Sequence, residues 1–260
     1  MHPFHPIQDT ANLSLSLAKK PRLSVVIPFY NEEENIVAVC EEVRQVLDRA
    51  IPGEWELVMV DDGSRDGTGE LIDALARKSP AFRGLHLIPN SGQSAALEAG
   101  LRAARGRLVG TLDGDGQNDP EDLIEVMAEL ERRGVDMMCG IRAHRADNWV
   151  RRMSSRIANS VRGGILGDNI SDVGCSLRVF RRSCLRNIGF FRNAHRYFPA
   201  LFLQRGFRVA EMPVNHRPRR SGTSKYGGGI NSRLWVGLAD LAGVWWLKRR
   251  ALRYRVRQAK

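Results

Sequence analysis

Short apolar segments alternate with segments of helical periodicity over the first half of the chain, between Leu23 and Gly140. The apolar segments are four or five residues long and rich in Val, Ile and Leu, which is typical of buried strands. Buried strands separated by helices predict an α/β fold with a mainly parallel sheet covered by helices on both faces. The predicted strands are Leu23–Ile27, Leu57–Val60, Leu85–Ile88, Leu108–Leu112 and Val135–Cys139. The predicted helices are 31–49, 69–77, 94–104 and 119–133.

The pattern loosens after Gly140 but still predicts separate elements: a basic helix at 149–161, a strand at 177–180, a helix around Ala200 and a strand at 207–212. We therefore predict one domain at 23–230, a flexible lead-in at 1–22 and a basic, amphipathic tail at 231–260. The lead-in has no long apolar region, so no signal peptide is expected. No apolar run reaches about 18 residues, so no segment is expected to span a bilayer.

The net charge of +11 is concentrated at one end of the chain. Residues 216–260 hold 12 of the 40 Lys and Arg residues and a single acid, Asp240. The remaining residues are neutral as a group, with 28 basic and 28 acidic side chains. The four cysteines form no CxxC pair and have no zinc spacing, so we expect reduced thiols and a cytosolic compartment. They are Cys40, Cys139, Cys175 and Cys184.

Polar clusters stand directly after four of the predicted strands. In an open parallel sheet, ligands bind in the crevice at the carboxyl ends of the strands. All four clusters are therefore expected at the ligand-binding edge. They are Tyr30-Asn31-Glu32, Asp61-Asp62-Gly63-Ser64, Asn90-Ser91-Gly92 and the segment from Asp113 to Gln117.

The last of these clusters carries two carboxylates, Asp113 and Asp115, separated by one glycine. Gly114 and Gly116 keep the backbone compact, so both carboxylates can reach one cation. With the amide oxygen of Gln117 they are hard oxygen ligands of the kind that Mg²⁺ or Mn²⁺ prefers. Such a cation normally keeps positions open for substrate phosphates.

These clusters have other interpretations. An EF-hand calcium loop is excluded because Asn118 and Ile124 stand where that loop needs Gly and Glu. A polar turn with Asp119 as the N-cap of the next helix is the structural alternative. Asp61 or Asp62 can accept hydrogen bonds from a nucleobase or ribose, or can belong to an acidic turn. The chain has neither a GxGxxG fingerprint after a strand nor a GxxxxGK[ST] loop, which excludes Rossmann dinucleotide and P-loop sites.

Four segments resemble family 2 glycosyltransferases and, within them, the dolichol-phosphate mannose synthase branch. They are VIPFYNEE (26–33), VDDGSRDGT (60–68), NSGQSAA (90–96) and LDGDGQ (112–117). Further matches occur at 140–142, 151–159, 171–172 and 219–227. The resemblance implies a GT-A fold and transfer of one sugar from a nucleotide-sugar to a polyprenyl or dolichyl phosphate. The QxxRW motif and the spanning helices of processive polysaccharide synthases are missing from the sequence.

The resemblance also implies roles for individual residues. The donor site would contain Pro28, Tyr30, Glu32, Asp61, Asp62, Asn90 and Gly92. The metal and the donor diphosphate would be held by Asp113, Asp115 and Gln117. The acceptor phosphate would be surrounded by Arg142, Arg151, Ser155, Arg219 and Lys225. Of these residues, Asp113, Asp115, Arg142 and Arg219 are predicted to be catalytic.

The implied acceptor sets the chemistry that these residues must provide. A phosphate monoester has a second pKa of about 6, so it is already an anionic nucleophile and needs little help from a general base. It needs cations that hold it against the anomeric carbon, and the arginine fork suits that task. We therefore expect direct, inverting displacement without an essential proton-abstracting Asp. For any single one of Arg151, Arg152 and Arg156, a solvated basic face is the alternative.

The tail combines an apolar stretch at 234–247, which contains three tryptophans, with a basic end beginning at Lys248. This combination is typical of a segment that lies in a membrane interface. Packing on the catalytic domain or on a partner subunit is the alternative. A neutral body and the tryptophans favour lipid over nucleic acid as the partner of this charge.

We therefore expect a peripheral enzyme at the cytoplasmic face of the membrane, with GDP-mannose as the first expectation for the donor. UDP-glucose, UDP-galacturonate or a modified UDP-arabinose are alternative donors, and a soluble or protein acceptor is an alternative acceptor. A catalytically silent binding protein is the non-enzymatic alternative. A homo-oligomer or a membrane partner protein is left open.

Overall fold

The computed structural model describes residues 20–143, 160–220 and 230–251. The strands are β1 (Leu23–Phe29), β2 (Trp55–Asp61), β3 (Phe82–His86), β4 (Leu108–Thr111), β5 (Met137–Arg142), β6 (Arg178–Arg181) and β7 (Val209–Val214). The α-helices are α1 (Ile36–Ala50), α2 (Thr68–Lys78), α3 (Gln93–Ala103), α4 (Pro120–Arg133), α5 (Phe198–Gln204) and α6 (Ile230–Arg250). Residues 160–166 are also helical.

All seven strands belong to one sheet with the order β3-β2-β1-β4-β6-β5-β7. Strand β1 pairs in parallel with β2 on one side and with β4 on the other. Strand β6 is antiparallel to both of its neighbours, β4 and β5, whereas β5 and β7 are parallel. The chain adds strands to opposite sides of β1, which opens a crevice at the carboxyl ends of β1 and β4. The predicted mainly parallel α/β sheet is confirmed.

Helices cover both faces of the sheet because alternate strand residues point to opposite sides. In β1, Val25 and Ile27 pack with α1, α2 and α4, whereas Val26 packs with α3, α5 and α6. Helix α4 begins as predicted, with the Asp119 side chain accepting a hydrogen bond from Glu121 N–H and Pro120 in the first turn. It ends at Arg133, and the next residue, Gly134, adopts the left-handed conformation with φ 63°.

The third strand differs from its prediction. Leu85–Ile88 is predicted, but β3 begins at Phe82 and ends at His86, and Ile88 is 94% exposed. The reason is that β3 lies at the edge of the sheet and pairs only with β2, so most of its residues are half-buried and give a weak apolar pattern. Most of the helix predicted at 149–161 lies outside the described residues.

Helix α6, which covers most of the predicted tail, packs on the body through one side. Leu241 and Val244 are buried, and Asn193 Nδ2 donates to Asp240 Oδ2 at 2.8 Å. The other side exposes apolar residues, among them Trp235 at 72% and Trp246 at 55%. Among the described residues, no helix has the length and apolarity needed to cross a bilayer. All four cysteines are free and buried.

Candidate active site

The loop after β4 is held in one conformation by contacts with its own residues and with β1. Asn118 Oδ1 accepts hydrogen bonds from Asp113 N–H and from the Ser176 hydroxyl, both at 2.8 Å. A Cβ on Gly114 would lie 2.5 Å from the Phe29 ring and 2.9 Å from the Pro28 carbonyl oxygen. Only glycine fits there, and this close approach brings the two aspartates beside the end of β1.

A cavity of about 220 Å³ opens in the crevice between the ends of β1 and β4. We call it the donor cavity, after the role that the resemblance implies for several of its residues. Nearly all of the polar residues that line it were singled out from the sequence. It is lined by Pro28, Phe29, Tyr30, Glu32, Asp62, Gln93, Asp113, Gly114, Asp115, Gln117 and Arg219.

Asp62 lies in the wall of the donor cavity with one carboxylate oxygen occupied and the other free. Its Oδ1 accepts hydrogen bonds from the N–H groups of Ser91 and Gly92 at 2.8 and 3.0 Å. Its Oδ2 is buried and has no partner among the described residues. Burial raises the pKa of Asp62 despite these hydrogen bonds. A buried acceptor without a donor is costly, so this oxygen is suited to an N–H or O–H group of a ligand.

The neighbouring predicted residues have supporting positions. Asp61 does not line the donor cavity: its Oδ1 accepts from Ser64 N–H at 2.8 Å, and its Oδ2 lies 3.2 Å from His86 Nδ1. Asn90 donates to the Asp62 carbonyl oxygen at 2.6 Å. Asn90 and Gly92 therefore position Asp62.

The two loop carboxylates lie in different electrostatic surroundings. Asp113 accepts a hydrogen bond from Gln93 Nε2 at 3.0 Å. Burial, followed by the charge of Asp115, raises the pKa of Asp113 to about 6, against the opposing effects of the Ser176 hydroxyl and two arginines. Asp115 Oδ2 instead accepts a hydrogen bond from Arg219 Nη2 at 2.9 Å.

The donor set on this loop fits a hard divalent cation. Two carboxylates and the side chain of Gln117 line the same cavity, and oxygen ligands are those that Mg²⁺ and Mn²⁺ prefer. Arg219 already places a positive charge there, since its Nη1 also lies 3.3 Å from Glu32 Oε1. Over the described ranges, no cluster of three or more His, Cys, Asp or Glu side chains has the arrangement of a metal site. The loop would therefore supply part of a coordination shell.

Residues 216–220 run beside this loop and bring part of the basic segment to the site. Arg217 N–H donates to the Gln117 carbonyl oxygen at 2.9 Å, and Gln117 Nε2 donates back to the Arg217 carbonyl oxygen at 3.2 Å. The Arg217 guanidinium pairs with Glu42 and Asp119, and Arg220 also pairs with Glu42. Three basic residues of this segment, Arg217, Arg219 and Arg220, are thus neutralised by carboxylates of the body.

A second cavity, of about 330 Å³, adjoins the donor cavity and shares Gln93 and Asp113 with it. We call it the inner cavity. It lies at the ends of β4 and β5, and at the start of β6 because that strand is antiparallel. It is lined by Gln93, Leu97, Thr111, Leu112, Asp113, Arg142, Asp172, Val173, Gly174, Cys175, Ser176, Arg178, His195, Arg196 and Phe198.

Arg142 is held in the wall of the inner cavity by Asp172. Its Nε and Nη2 donate to the two carboxylate oxygens of Asp172, both at 2.8 Å. The pair is largely buried, and its two parallel hydrogen bonds orient the guanidinium.

The placement of the predicted site residues is therefore mixed. Pro28, Tyr30, Glu32, Asp62, Asp113, Asp115, Gln117 and Arg219 line the donor cavity, and Arg142 lines the inner cavity. Arg151, Ser155 and Lys225 lie outside the described residues. Sequence reasoning missed Gln93, Ser176, Arg178, His195 and Arg196 as lining residues. Gln93 lies within the matched segment 90–96, and Ser176 follows the match at 171–172, but nothing in their spacing singled them out.

The glycosyl transferase family 2 model matches residues 24–189 of the chain. A dodecaprenyl-phosphate galacturonate synthase from Rhizobium johnstonii is 39% identical over 94% of this chain and 71% of that protein. An undecaprenyl-phosphate 4-deoxy-4-formamido-L-arabinose transferase from Aeromonas hydrophila is 38% identical over 79% of this chain and 63% of that protein. The chain thus spans less than two thirds of the length of the arabinose transferase.

Among solved structures, glucosyl-3-phosphoglycerate synthase from Mycobacterium tuberculosis, in complex with Mg²⁺ and uridine diphosphate, has a TM-score of 0.64. It is 20% identical, and the superposition covers 87% of this chain and 80% of that one. The likeness confirms the GT-A fold.

Proposed function

Because the chain belongs to glycosyl transferase family 2, we propose that it transfers one sugar from a nucleotide-sugar to a polyprenyl phosphate. The observation that carries the proposal is the pair of adjoining cavities on either side of Asp113. One is acidic and fits a nucleotide with a cation, and the other is lined by arginines. The names of the two relatives support the lipid phosphate as the acceptor.

In the proposed complex the nucleoside lies against Asp62, whose free Oδ2 accepts a hydrogen bond from the base or the ribose. Pro28 and Tyr30 also line this cavity, as do Glu32 and Arg219, which contact each other. This is the donor site expected from the sequence, except that Asp61, Asn90 and Gly92 contribute through Asp62 or the turn beside it.

Asp113, Asp115 and Gln117 are proposed to hold Mg²⁺ or Mn²⁺ together with the donor diphosphate. A bound divalent cation would neutralise negative charge that develops on the leaving diphosphate. The protein itself contributes a rigid loop, since the Asn118 side chain and the close packing of Gly114 hold the two carboxylates in place before any ligand arrives. Arg219 adds a second positive charge next to Asp115.

The acceptor phosphate is proposed to attack the anomeric carbon directly, with inversion, because its charged oxygen needs no proton removed. Arg142 is oriented for this task by Asp172. Arg151, Ser155 and Lys225 stay proposed acceptor residues from the sequence. Arg219 contacts the carboxylates of the donor cavity in this structure, so we assign it to the donor diphosphate as well as to the acceptor.

The relatives favour a galacturonate or formamido-arabinose donor over the GDP-mannose first expected. We therefore propose one of these two sugars on a nucleotide carrier. The exposed apolar side of α6 supports a peripheral position on the membrane, with the site on its cytoplasmic face.

The test is incubation of the purified protein with radiolabelled nucleotide-sugars, Mn²⁺ and a polyprenyl phosphate. Label should move into an organic-extractable product that mild acid hydrolyses. Asp115→Asn keeps the shape of the side chain but removes its charge, and it should lower turnover by at least about 100-fold. Asp73→Asn, a change on the exposed side of α2, is the matched control. The absence of labelled lipid with every donor would refute the proposal.

A further inference from the structure

Two arginines of the inner cavity, Arg178 and Arg196, form no ion pair with a carboxylate within the part of the chain that the structure describes. The third, Arg142, is neutralised by Asp172. The inner cavity therefore has the positive charge of Arg178 and Arg196 available for an anionic ligand, whereas the charge of Arg142 is paired with Asp172. Both arginines line the inner cavity, and neither lines the donor cavity.

Arg178 is the buried part of this feature. It is only 4% exposed, and its Nη1 and Nη2 donate to the carbonyl oxygens of His195 and Val173 at 2.5 and 2.8 Å. Its Nε is buried without a partner. Carbonyl oxygens satisfy hydrogen bonds but do not neutralise a charge. Asp113 interacts with Arg178 electrostatically without forming an ion pair, and a buried guanidinium without an ion-paired anion is costly. An anionic ligand would remove that cost.

Arg196 is the exposed part, next in sequence to His195, whose carbonyl oxygen binds Arg178. Its side chain is exposed and lines the same cavity. Burial and the two neighbouring arginines lower the pKa of His195 to about 3, so the ring between them stays neutral and adds no positive charge. The arginines are therefore the cations that an anion would meet.

The order of groups in a nucleotide-sugar decides which anion reaches this place. With the nucleoside at Asp62 and the diphosphate at Asp113 and Asp115, the sugar is the next group and enters the inner cavity. We propose that Arg178 and Arg196 bind a carboxylate on that sugar, so that the donor is a nucleotide-linked uronate. The inference rests on the proposed donor site. A formamido-arabinose has no carboxylate and would leave both arginines without an ion-paired anion.

The experiment compares two donors that differ only at C6, UDP-galacturonate and UDP-galactose. Their dissociation constants are measured by calorimetry with Mn²⁺ and without any lipid acceptor. The wild-type protein should bind the uronate at least about tenfold more tightly. Arg196→Gln should reduce this ratio several-fold while changing the affinity for UDP-galactose less than about twofold. Arg196→Lys should retain part of the ratio. Arg192→Gln, in the same segment but outside the lining, is the matched control.

Each outcome decides the proposal. If Arg196→Gln weakened the affinity for both donors equally, Arg196 would contact a group that the two donors share, such as a phosphate, and the inference would be overturned. Equal wild-type affinity for the two donors, or no binding of either, would overturn it as well. If the ratio behaves as expected but no sugar passes to polyprenyl phosphate, the proposed transfer fails while the carboxylate site stands.

Discussion

Asp62 has two carboxylate oxygens in different roles, and the structure separates them. One oxygen holds the loop before α3 through two backbone N–H groups, while the other is buried, free and directed at no described donor. In the neighbouring Asp61, one carboxylate oxygen accepts a hydrogen bond from Ser64 N–H and the other contacts the His86 ring. The two adjacent acids therefore have different contacts: Asp61 supports the turn, whereas Asp62 keeps one oxygen that we propose binds the ligand.

Asp62→Asn tests this separation. Since Oδ1 receives two N–H groups, the new amide nitrogen must take the Oδ2 position, which replaces an acceptor with a donor. Nucleotide affinity, measured by titration with UDP and Mn²⁺, should fall by about tenfold or more. Asp61→Asn is the control and should leave the affinity within about twofold. Equal losses would contradict the assignment.

His195 gives a prediction for the pH dependence of stability. Its pKa is lowered from the ordinary 6.5 to about 3, chiefly by burial and then by Arg196 and Arg178. Between pH 6.5 and about 3, His195 therefore carries a proton in the unfolded chain but not in the folded protein. The stability that depends on neutral His195 is fully present above pH 6.5 and is lost as the pH falls towards 3. The slope is at most about 1.4 kcal/mol per pH unit.

Urea unfolding of the wild-type protein and of His195→Gln between pH 4 and 8 measures the contribution of His195 to the pH dependence of stability. The difference in unfolding free energy between the two proteins should narrow or reverse as the pH falls below about 6.5. A difference that is constant over the whole range would show that His195 titrates alike in both states.

At the scale of elements, the loop between β4 and α4 depends on the absence of a side chain at Gly114. Gly114→Ala would place a methyl group 2.5 Å from the Phe29 ring, so the loop must shift. We expect donor and Mn²⁺ binding to weaken by at least about tenfold because the two carboxylates move with the loop. The unfolding midpoint should also fall, because Phe29 is a buried residue of the core. Gly164→Ala, where a Cβ meets no atom within 4 Å, is the control. A large loss of stability with normal binding would refute this account.

Helix α6 has two apolar sides with different roles. Leu241 and Val244 belong to the core on the α3 side of the sheet, whereas Trp235 and Trp246 face outward. Deleting the whole tail would therefore disturb the body together with any membrane contact. Point substitutions separate the two effects.

The double change Trp235→Gln and Trp246→Gln should abolish sedimentation with anionic liposomes and leave the unfolding midpoint unchanged, because both side chains are exposed. Leu241→Ala should instead lower stability by about 2–5 kcal/mol. Full liposome binding by the double variant would rule out this side of α6 as the membrane contact.

For the whole molecule, the uneven distribution of charge sets the expected salt dependence. Of the twelve basic residues after position 215, Arg217, Arg219 and Arg220 are paired with body carboxylates, so we expect the contact with lipid to come from basic residues that follow them. Binding to anionic vesicles should weaken strongly between 0.1 and 1 M NaCl, as the Debye length falls from about 10 to about 3 Å. Neutral vesicles give the control, and salt-independent binding would contradict an electrostatic contribution.

The sequence by itself determined that the first four strands are parallel, apart from the bounds of β3, and most of the polar residues at their carboxyl ends. Continuous apolar strands can be read locally, and the ends of parallel strands must meet at one edge. For this reason Tyr30, Asp62, Asp113 and Asp115 were all found in one cavity, as expected from their spacing.

Only the tertiary structure decided the inner cavity. Because β6 is antiparallel, its first residue, Arg178, lies at the edge of the sheet where the parallel strands end. A search of the sequence for polar residues after each strand does not find it, because Arg178 begins its strand. Arg196 and Arg219 reach the two cavities through contacts between residues about 100 positions or more apart, such as that of Ser94 with His195 and that of Asp115 with Arg219. Such contacts depend on how the layers pack, which local periodicity does not encode.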